Sequence, residues 1–305
     1  MQQALGIFSE TAHDTQMKQT PPDTLEISAI LADSGLSSLT GQILGRMGSL
    51  IVRIADNPET IRIAQKLRYD VFYTELGAQK SQNTVLEERD SDHYDAICDH
   101  LVVYDTSIAG DEAAQLVGTY RLMRSDMITE GRSFYSAGEY EITKLTARKP
   151  HLQFLELGRS CVKPEYRSKR TVELLWQGIW SYCRQHKIEV MFGCASFHGT
   201  VPEAHAVPLS FLQHNCRADA EWDVRALEQH YRSMDIVPQE AINPKVALFS
   251  MPPLIKGYLR LGAMIGDGAV VDHQFGTTDV LIILPVERIS SRYINYYGAE
   301  ADRFV

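Results

Sequence analysis

Glu156 and Arg159 stand three residues apart inside Phe154–Val162, an otherwise largely apolar run. A carboxylate in such a run costs free energy unless it is paired or wet. Glu156 is therefore either half of a structural ion pair with a nearby Arg or a positioned acid–base group, and the residues alone leave both readings open. Between Arg159 and Arg170 fall five basic residues (Arg159, Lys163, Arg167, Lys169, Arg170) and one acid, Glu165. Basic side chains beside the free N–H groups of a helix start make a ready anion site. A solvated basic loop is the plainer alternative; the junction of a strand end with a helix start favours the anion site. A third constellation is Asp90, Asp92 and Asp95, which with Arg68 and Arg121 would form a polar substrate pocket. From the residues alone a charged surface loop is the simpler reading of that trio.

Several other chemistries lack their residues. There is no P-loop, no dinucleotide GxGxxG after a strand, no HExxH and no zinc-spaced Cys/His cluster. The run Gly158-Arg159-Ser160-Cys161-Val162 lacks the second Gly of a nucleophile elbow. The acidic trio fails as a calcium loop, because Asp95 and Leu101 stand where the loop's Gly and closing Glu belong. Cys161 as an acyl-carrying nucleophile lacks a recognisable His partner.

The elements that must position these groups follow from periodicity and punctuation. Residues 50–55 read as a strand, and Asp56-Asn57-Pro58-Glu59 as a helix start. The helix keeps Ile61, Ala64, Leu67 and Val71 on one face and stops at Gly77. Runs 100–105 and 115–124 form a hairpin around Gly110. Phe154–Val162 is the next strand, with Gly158 marking a bulge or a close approach. A helix opening at Thr171 buries Val172, Leu175, Trp176, Ile179, Trp180 and Cys183. A strand at 188–196, a short helix near 209–214, a helix at 252–263 and strands at 269–275 and 278–286 complete the order. That order predicts an α/β (α+β) fold with a mixed sheet. Residues 1–45, polar and carrying Pro21-Pro22, read as a mobile leader with a short helix near 25–31.

Composition bounds the function class. The 305 residues carry a net charge of -9, which argues against a generic nucleic-acid partner. No apolar run reaches the ~18–20 residues of a membrane span, and no secretory signal is visible. Five scattered cysteines suit reduced thiols in a cytoplasm.

Taken together the pieces resemble the GNAT acyltransferase superfamily, in the branch that contains the acyl-homoserine-lactone synthases, and within it the bacterial L-ornithine Nα-acyltransferases. The resemblance spans roughly residues 50–298. It is carried by LRYDVFYTELGA (67–78), DSDHYD (90–95), VGTYRLMR (117–124), FYSAGEYEI (134–142), ELGRSCVKPEYRSKRTVELLWQGIW (156–180), MFGCASFHGT (191–200) and the block 252–287. It implies a mostly antiparallel central sheet flanked by helices, one domain over 46–298 with an insert at about 197–250, and a tail at 299–305. The implied reaction moves a 3-hydroxyacyl chain from acyl carrier protein to the α-amine of L-ornithine, giving lyso-ornithine lipid.

By resemblance, Arg68 and Phe72 match the branch's first helix, Asp90, Asp92 and Asp95 its acidic element, and Arg121 its third strand; these six are the expected substrate-binding residues. Glu156, Arg159 and Tyr258 are the expected catalytic residues, with Tyr258 either protonating the leaving thiolate or packing on the sheet. Cys161, Val162, Lys163, Arg167, Lys169 and Arg170 are expected to meet the carrier's phosphopantetheine arm. No metal and no cofactor of the protein's own is implied. GNAT enzymes that hold coenzyme A carry Q/RxxGxG/A at this loop; here only Arg167 fits, and Arg170 and Val172 replace the glycines. That departure favours acyl carrier protein over coenzyme A as donor. An acyl-homoserine-lactone synthase, another amino-acid N-acyltransferase, a coenzyme-A-dependent acetyltransferase and a non-catalytic carrier-binding module are the rival readings. The expected location is the cytoplasm, with peripheral contact to the inner membrane through Leu254, Ile255, Tyr258 and Leu259 as one alternative and packing of that face on the sheet as the other.

Overall fold

The computed structural model describes residues 42–294, so the leader helix expected near 25–31 and the tail at 299–305 lie outside the described residues. Among the described residues nine strands form one sheet: β1 (Ile43–Met47), β2 (Leu50–Ile54), β3 (Asp99–Asp105), β4 (Leu116–Arg124), β5 (Phe154–Val162), β6 (Val190–His198), β7 (Tyr231–Arg232), β8 (Met264–Asp272) and β9 (Thr277–Pro285). Their order is β1-β2-β3-β4-β5-β6-β9-β8-β7, antiparallel throughout except for β5 beside β6. The helices are α1 (Pro58–Tyr69), continued by a π-helical turn Asp70–Glu75, then α2 (Gln82–Glu87), α3 (Glu112–Gln115), α4 (Ile142–Arg148), α5 (Lys169–Gln185), α6 (Ala206–Asn215), α7 (Pro244–Ser250) and α8 (Pro253–Leu261). This is the mixed, mostly antiparallel architecture expected.

One face of the sheet is covered by α1 and its π-helical turn, where Ala64, Leu67, Val71 and Phe72 pack with Val102, Tyr104 and Leu116. The opposite face carries α5 and α8, with Val172, Leu175, Ile179, Ile255 and Tyr258 against Leu50, Val52, Leu101 and Leu157. Two boundaries differ from expectation. A strand not read from the sequence, Ile43–Met47, precedes the one expected from residue 50, takes in residues 43–45 of the expected leader, and closes a tight hairpin onto β2 through the positive-φ Gly48. Strand β8 begins at Met264 rather than 269; its register shifts between Ile265 and Ala269, so no simple alternation marks its start. Of the two readings of the apolar face of α8, packing on the sheet is the one seen, with Ile255 and Tyr258 buried and Leu254 and Leu259 partly buried against the same core.

Two features shape the centre of the sheet. Across β4–β5, Thr119 faces Cys161 while Arg121 faces Gly158, so β5 carries one extra residue, a bulge, and Arg159 takes a left-handed backbone (φ 51°). Across β5–β6, pairing covers only Phe154–Glu156 against Val190–Phe192, and the strands then part. Gly193 sits at that parting, where an added Cβ would stand 2.3 Å from the Leu157 carbonyl oxygen.

The acidic trio is no surface loop. Arg68 on α1 donates to Asp90 Oδ2 at 2.8 Å, to both Asp95 oxygens at 2.8 and 2.9 Å, and to the Asp90 carbonyl. Tyr73 adds a bond to Asp90 at 3.0 Å and Gln65 one to Asp95 at 2.9 Å. Burial alone would raise both carboxyls; Arg159 and Arg68 hold Asp90 below its usual range, and Arg68 holds Asp95 below its own. The network fastens the 88–98 loop between α1 and the sheet.

Two sets of variants check this frame. Gly193→Ala should cost about 1–3 kcal/mol, because the obstructing atom is backbone and cannot yield. Gly257→Ala, with open space around its Cα, should be neutral or stabilise by up to about 1 kcal/mol; urea denaturation separates the two. Arg68→Met should cost about 3–5 kcal/mol by stranding buried carboxylates. Asp90 and Asp95 are depressed, so their contribution is complete above the ordinary carboxylate range and is lost as pH falls below about 4. The wild-type advantage in urea midpoint should shrink in the same window.

Candidate active site

Glu156 is the last residue of β5 paired with β6 and is buried on the face of the sheet opposite Leu155 and Leu157. Its partners are peptide N–H groups and a hydroxyl rather than a guanidinium. Tyr135 N donates to Oε2 at 2.7 Å, and Ser136 N and Oγ donate to Oε1 at 2.7 and 2.5 Å. These donors begin the 3-10 turn Tyr135–Gly138, whose leading N–H groups have no partner within the turn itself. Burial pushes the Glu156 carboxyl up, and the Ser136 and Tyr135 bonds oppose the shift. Three acceptor positions are taken of the roughly four that a carboxylate offers, which fixes its orientation and leaves capacity for one more proton donor.

Glu156 opens on a cavity of about 620 Å³, its mouth included. Arg121 and Arg159 form one wall, with Tyr135 stacked between them at 5.6 and 4.8 Å from their guanidinium carbons. Asp92 joins the two, 2.7 Å from Arg121 Nη1 and 3.4 Å from Arg159 Nη2. Arg159 also reaches Asp90 at 3.2 Å and lies over the Phe275 ring. Phe72 supports Phe275 edge-on at 5.7 Å. Arg68, Asp90 and Asp95 stand behind this wall and do not line the cavity.

Other expected residues lie elsewhere. Tyr258 occupies the opposite face of the sheet, with its hydroxyl 3.2 Å from Tyr120 and its ring against Trp176. Cys161 and Val162 are fully buried, and burial pushes the Cys161 thiol far up, which leaves no thiolate to act. In the basic loop, Arg167 chelates Glu75 at 2.6 and 2.5 Å, Lys163 donates to the Ala114 carbonyl at 3.1 Å, and Arg170 donates to the Met47 carbonyl at 2.5 Å. Ser168 caps α5 by accepting from Thr171 N. Lys169 is 65% exposed and 3.5 Å from Glu173.

The other half of the cavity was missed from the sequence: Tyr135, Ser136, Glu139, Cys194, Ser196, Asp272, Phe275 and Asp279 line it. Asp279 offered the same signal as Glu156, a lone acid inside an apolar strand. Cys194 and Ser196 alternate along β6 and so share one face. The 3-10 turn has no periodicity to read.

A family model described as an acetyltransferase (GNAT) domain matches residues 67–177. An L-ornithine N(alpha)-acyltransferase from Brucella abortus is 64% identical over 92% of this chain and 100% of its own. One of the same name from Rhizobium meliloti is 58% identical over 86% of this chain and 88% of its own. Among solved structures, the acyl-homoserine-lactone synthase LasI aligns with a TM-score of 0.42 and 13% identity, over 82% of this chain and 95% of that one. The identity and near-complete coverage of these relatives, on a GNAT-type sheet with a buried carboxylate at its parting strands, show that this chain is an acyltransferase and belongs to the family of L-ornithine Nα-acyltransferases.

Proposed function

We propose that the protein transfers a 3-hydroxyacyl chain from acyl carrier protein to the α-amine of L-ornithine, forming lyso-ornithine lipid. The observation that carries the reading is Glu156, a buried carboxylate immobilised by two peptide N–H groups and a serine hydroxyl where β5 leaves β6, with a cavity in front of it. The names of the high-identity relatives supply ornithine.

The neutral α-amine attacks the thioester carbonyl carbon. The C–N bond forms, the carbonyl becomes an oxyanion, and Glu156 takes the amine proton directly or through one water. The bulge at Gly158–Ser160 supplies peptide N–H groups freed from regular pairing, suited to the oxyanion. Collapse breaks the C–S bond, and the pantetheine thiolate takes a proton to leave as thiol. Tyr258, on the opposite face of the sheet, is the proposed donor; burial keeps its phenol protonated. Arg121, Arg159 and Asp92 serve as the rigid wall against which the amino acid sits, with Arg68, Phe72, Asp90 and Asp95 holding that wall. The chain needs no cofactor of its own in this scheme, because phosphopantetheine arrives on the carrier.

Acyl carrier protein is favoured as donor by Arg170 and Val172, which stand where a pyrophosphate-wrapping loop has glycines. Lys163, Arg167, Lys169 and Arg170 give that loop a positive face, and the buried Cys161 and Val162 contribute backbone alone. The work is placed in the cytoplasm, where carrier protein is acylated. No helix among the described residues is long and apolar enough to cross a membrane. Peripheral contact with the inner membrane belongs to the same proposal, supported by Val246, Leu248 and Phe249 exposed on α7.

Glu156→Gln should lower kcat for ornithine acylation by about 10²–10⁴ while KM values stay within a few-fold; kcat at the wild-type level would remove Glu156 as base. Because burial raises this carboxyl, wild-type kcat should decline as pH falls through its titration, and that limb should vanish in the variant. Lys169→Glu should raise KM for the acylated carrier, more strongly at low salt, and leave KM for ornithine alone. Equal shifts in both constants would take the basic loop out of carrier docking.

A further inference from the structure

We propose that Glu139 and Asp279 form the subsite for the side-chain ammonium of the acceptor, so that the cavity selects an amino acid with a cationic side chain over its neutral isostere. The inference deepens the reading above and rests on it.

The charges around the cavity divide into matched and unmatched groups. Arg68, Arg121 and Arg159 are met by Asp90, Asp92 and Asp95. Glu156 is met by N–H and O–H donors. Glu139, Asp272 and Asp279 also face the cavity, and among the described residues no lysine or arginine forms an ion pair with any of them. Asp272 spends Oδ1 on the amides of Gln274 and Phe275, closing the turn between β8 and β9. Asp279 is different. It is 6% exposed with the Ser196 and Thr277 hydroxyls beside its carboxyl, and among the described residues its Oδ1 has no hydrogen-bond partner. Buried polar atoms are nearly always satisfied, so an orphaned carboxylate oxygen on a cavity wall calls for a donor from outside. Glu139 Oε2 has only the Cys194 sulfur, at 3.4 Å.

Geometry places this pair within one small molecule of Glu156. Ser136 Oγ is 2.5 Å from Glu156 and 3.5 Å from Cys194 Sγ, which is the atom that touches Glu139. Ser196, one pleat along β6 from Cys194, is opposite Asp279 and hydrogen-bonded to it. A diamino acid with its α-amine at Glu156 would therefore extend its side chain along β6 toward Glu139 and Asp279. An ammonium brings three donors and one positive charge, which answers both the open oxygen and the unmatched charge. Burial and the mutual proximity of the acids push Glu139 up to about 7, with Asp279 and Asp272 raising it and Arg159 opposing; burial likewise lifts Asp279 to about 6. A cation between them would favour both ionised forms.

The test compares ornithine with norvaline, which has the same carbon skeleton and no side-chain amine, as acceptors from a 3-hydroxyacyl carrier protein. Wild type should prefer ornithine, and Asp279→Asn and Glu139→Gln should each cut the ornithine-to-norvaline ratio of kcat/KM by roughly tenfold to a hundredfold. The loss should fall on KM for ornithine, with norvaline acylation retained as proof of an intact fold and base. KM for ornithine in wild type should fall as pH rises through about 6 to 7, and this dependence should weaken in Glu139→Gln. An unchanged ratio in both variants overturns the subsite. If Asp279→Asn loses both acceptors, Glu139→Gln, at a half-buried turn, decides alone. A wild-type protein that acylates neither amino acid overturns the acyl-transfer reading itself, a distinct outcome.

Discussion

A guanidinium taken out of water must meet carboxylate, and this requirement organises the half of the molecule that faces α1. Arg68 is almost wholly buried in a helix that would otherwise be held to the sheet by apolar contacts alone. Its matching acids come from a loop twenty-two to twenty-seven residues later. Arg121 on β4 and Arg159 on β5 meet the same loop from the other side. The position of that loop is thus set by charge pairing from three elements at once, and removing any one arginine would leave a buried anion. The bulge in β5 belongs to the same arrangement: it puts Arg159 in a left-handed conformation from which its side chain reaches Asp90, Asp92 and the rings of Tyr135 and Phe275.

That matching has a consequence for the cavity beyond it. The basic groups are engaged by the trio, and among the described residues no lysine or arginine forms an ion pair with Glu139, Asp272 or Asp279. The acid proposed as base, Glu156, is held differently again, by peptide N–H groups and a hydroxyl that bring no full charge. A carboxylate paired with arginine is a poor base, its proton affinity having been lowered; one held by neutral donors in a buried place keeps a higher affinity. The distinction between Glu156 and Asp90, both buried on the same side, lies wholly in the partner.

Much of the framework was legible because it is periodic. The apolar spacing of α1 and α5, the cap-and-proline start at Asn57-Pro58 and the strand Phe154–Val162 all appear where the sequence places them. Glu156 was conspicuous as a charge in an apolar run. Its holder was not, since Ser136 lies twenty residues upstream in a single 3-10 turn. The basic loop was visible as charge, yet the partners that occupy Arg167 and Arg170, Glu75 and the Met47 carbonyl, are separated from them by 92 and 123 residues. Sequence shows that a side chain is charged; only the fold shows what already satisfies it. Strand β8 was read short because Gly266 and Gly268 interrupt its pattern, and the structure gives a reason for Gly266: a Cβ there would stand 2.7 Å from the Val224 carbonyl oxygen.

An acidic cavity poses a difficulty for aminolysis that the proposed subsite removes. Negative surroundings favour the ammonium over the amine, whereas attack on a thioester requires the amine. Were Glu139 and Asp279 unmatched while the acceptor sat at Glu156, their charge would hold the attacking nitrogen protonated. A side-chain ammonium lodged between them offsets one of the two negative charges, and so lowers the α-ammonium's affinity for its proton relative to the unmatched ionised pair. The contact proposed to select a cationic acceptor would thereby also ease the deprotonation proposed for Glu156. A neutral side chain offers the two acids no such partner and leaves them to take up protons instead, so recognition of a cationic acceptor and relief of the negative charge beside the nucleophile are two results of one ion pair.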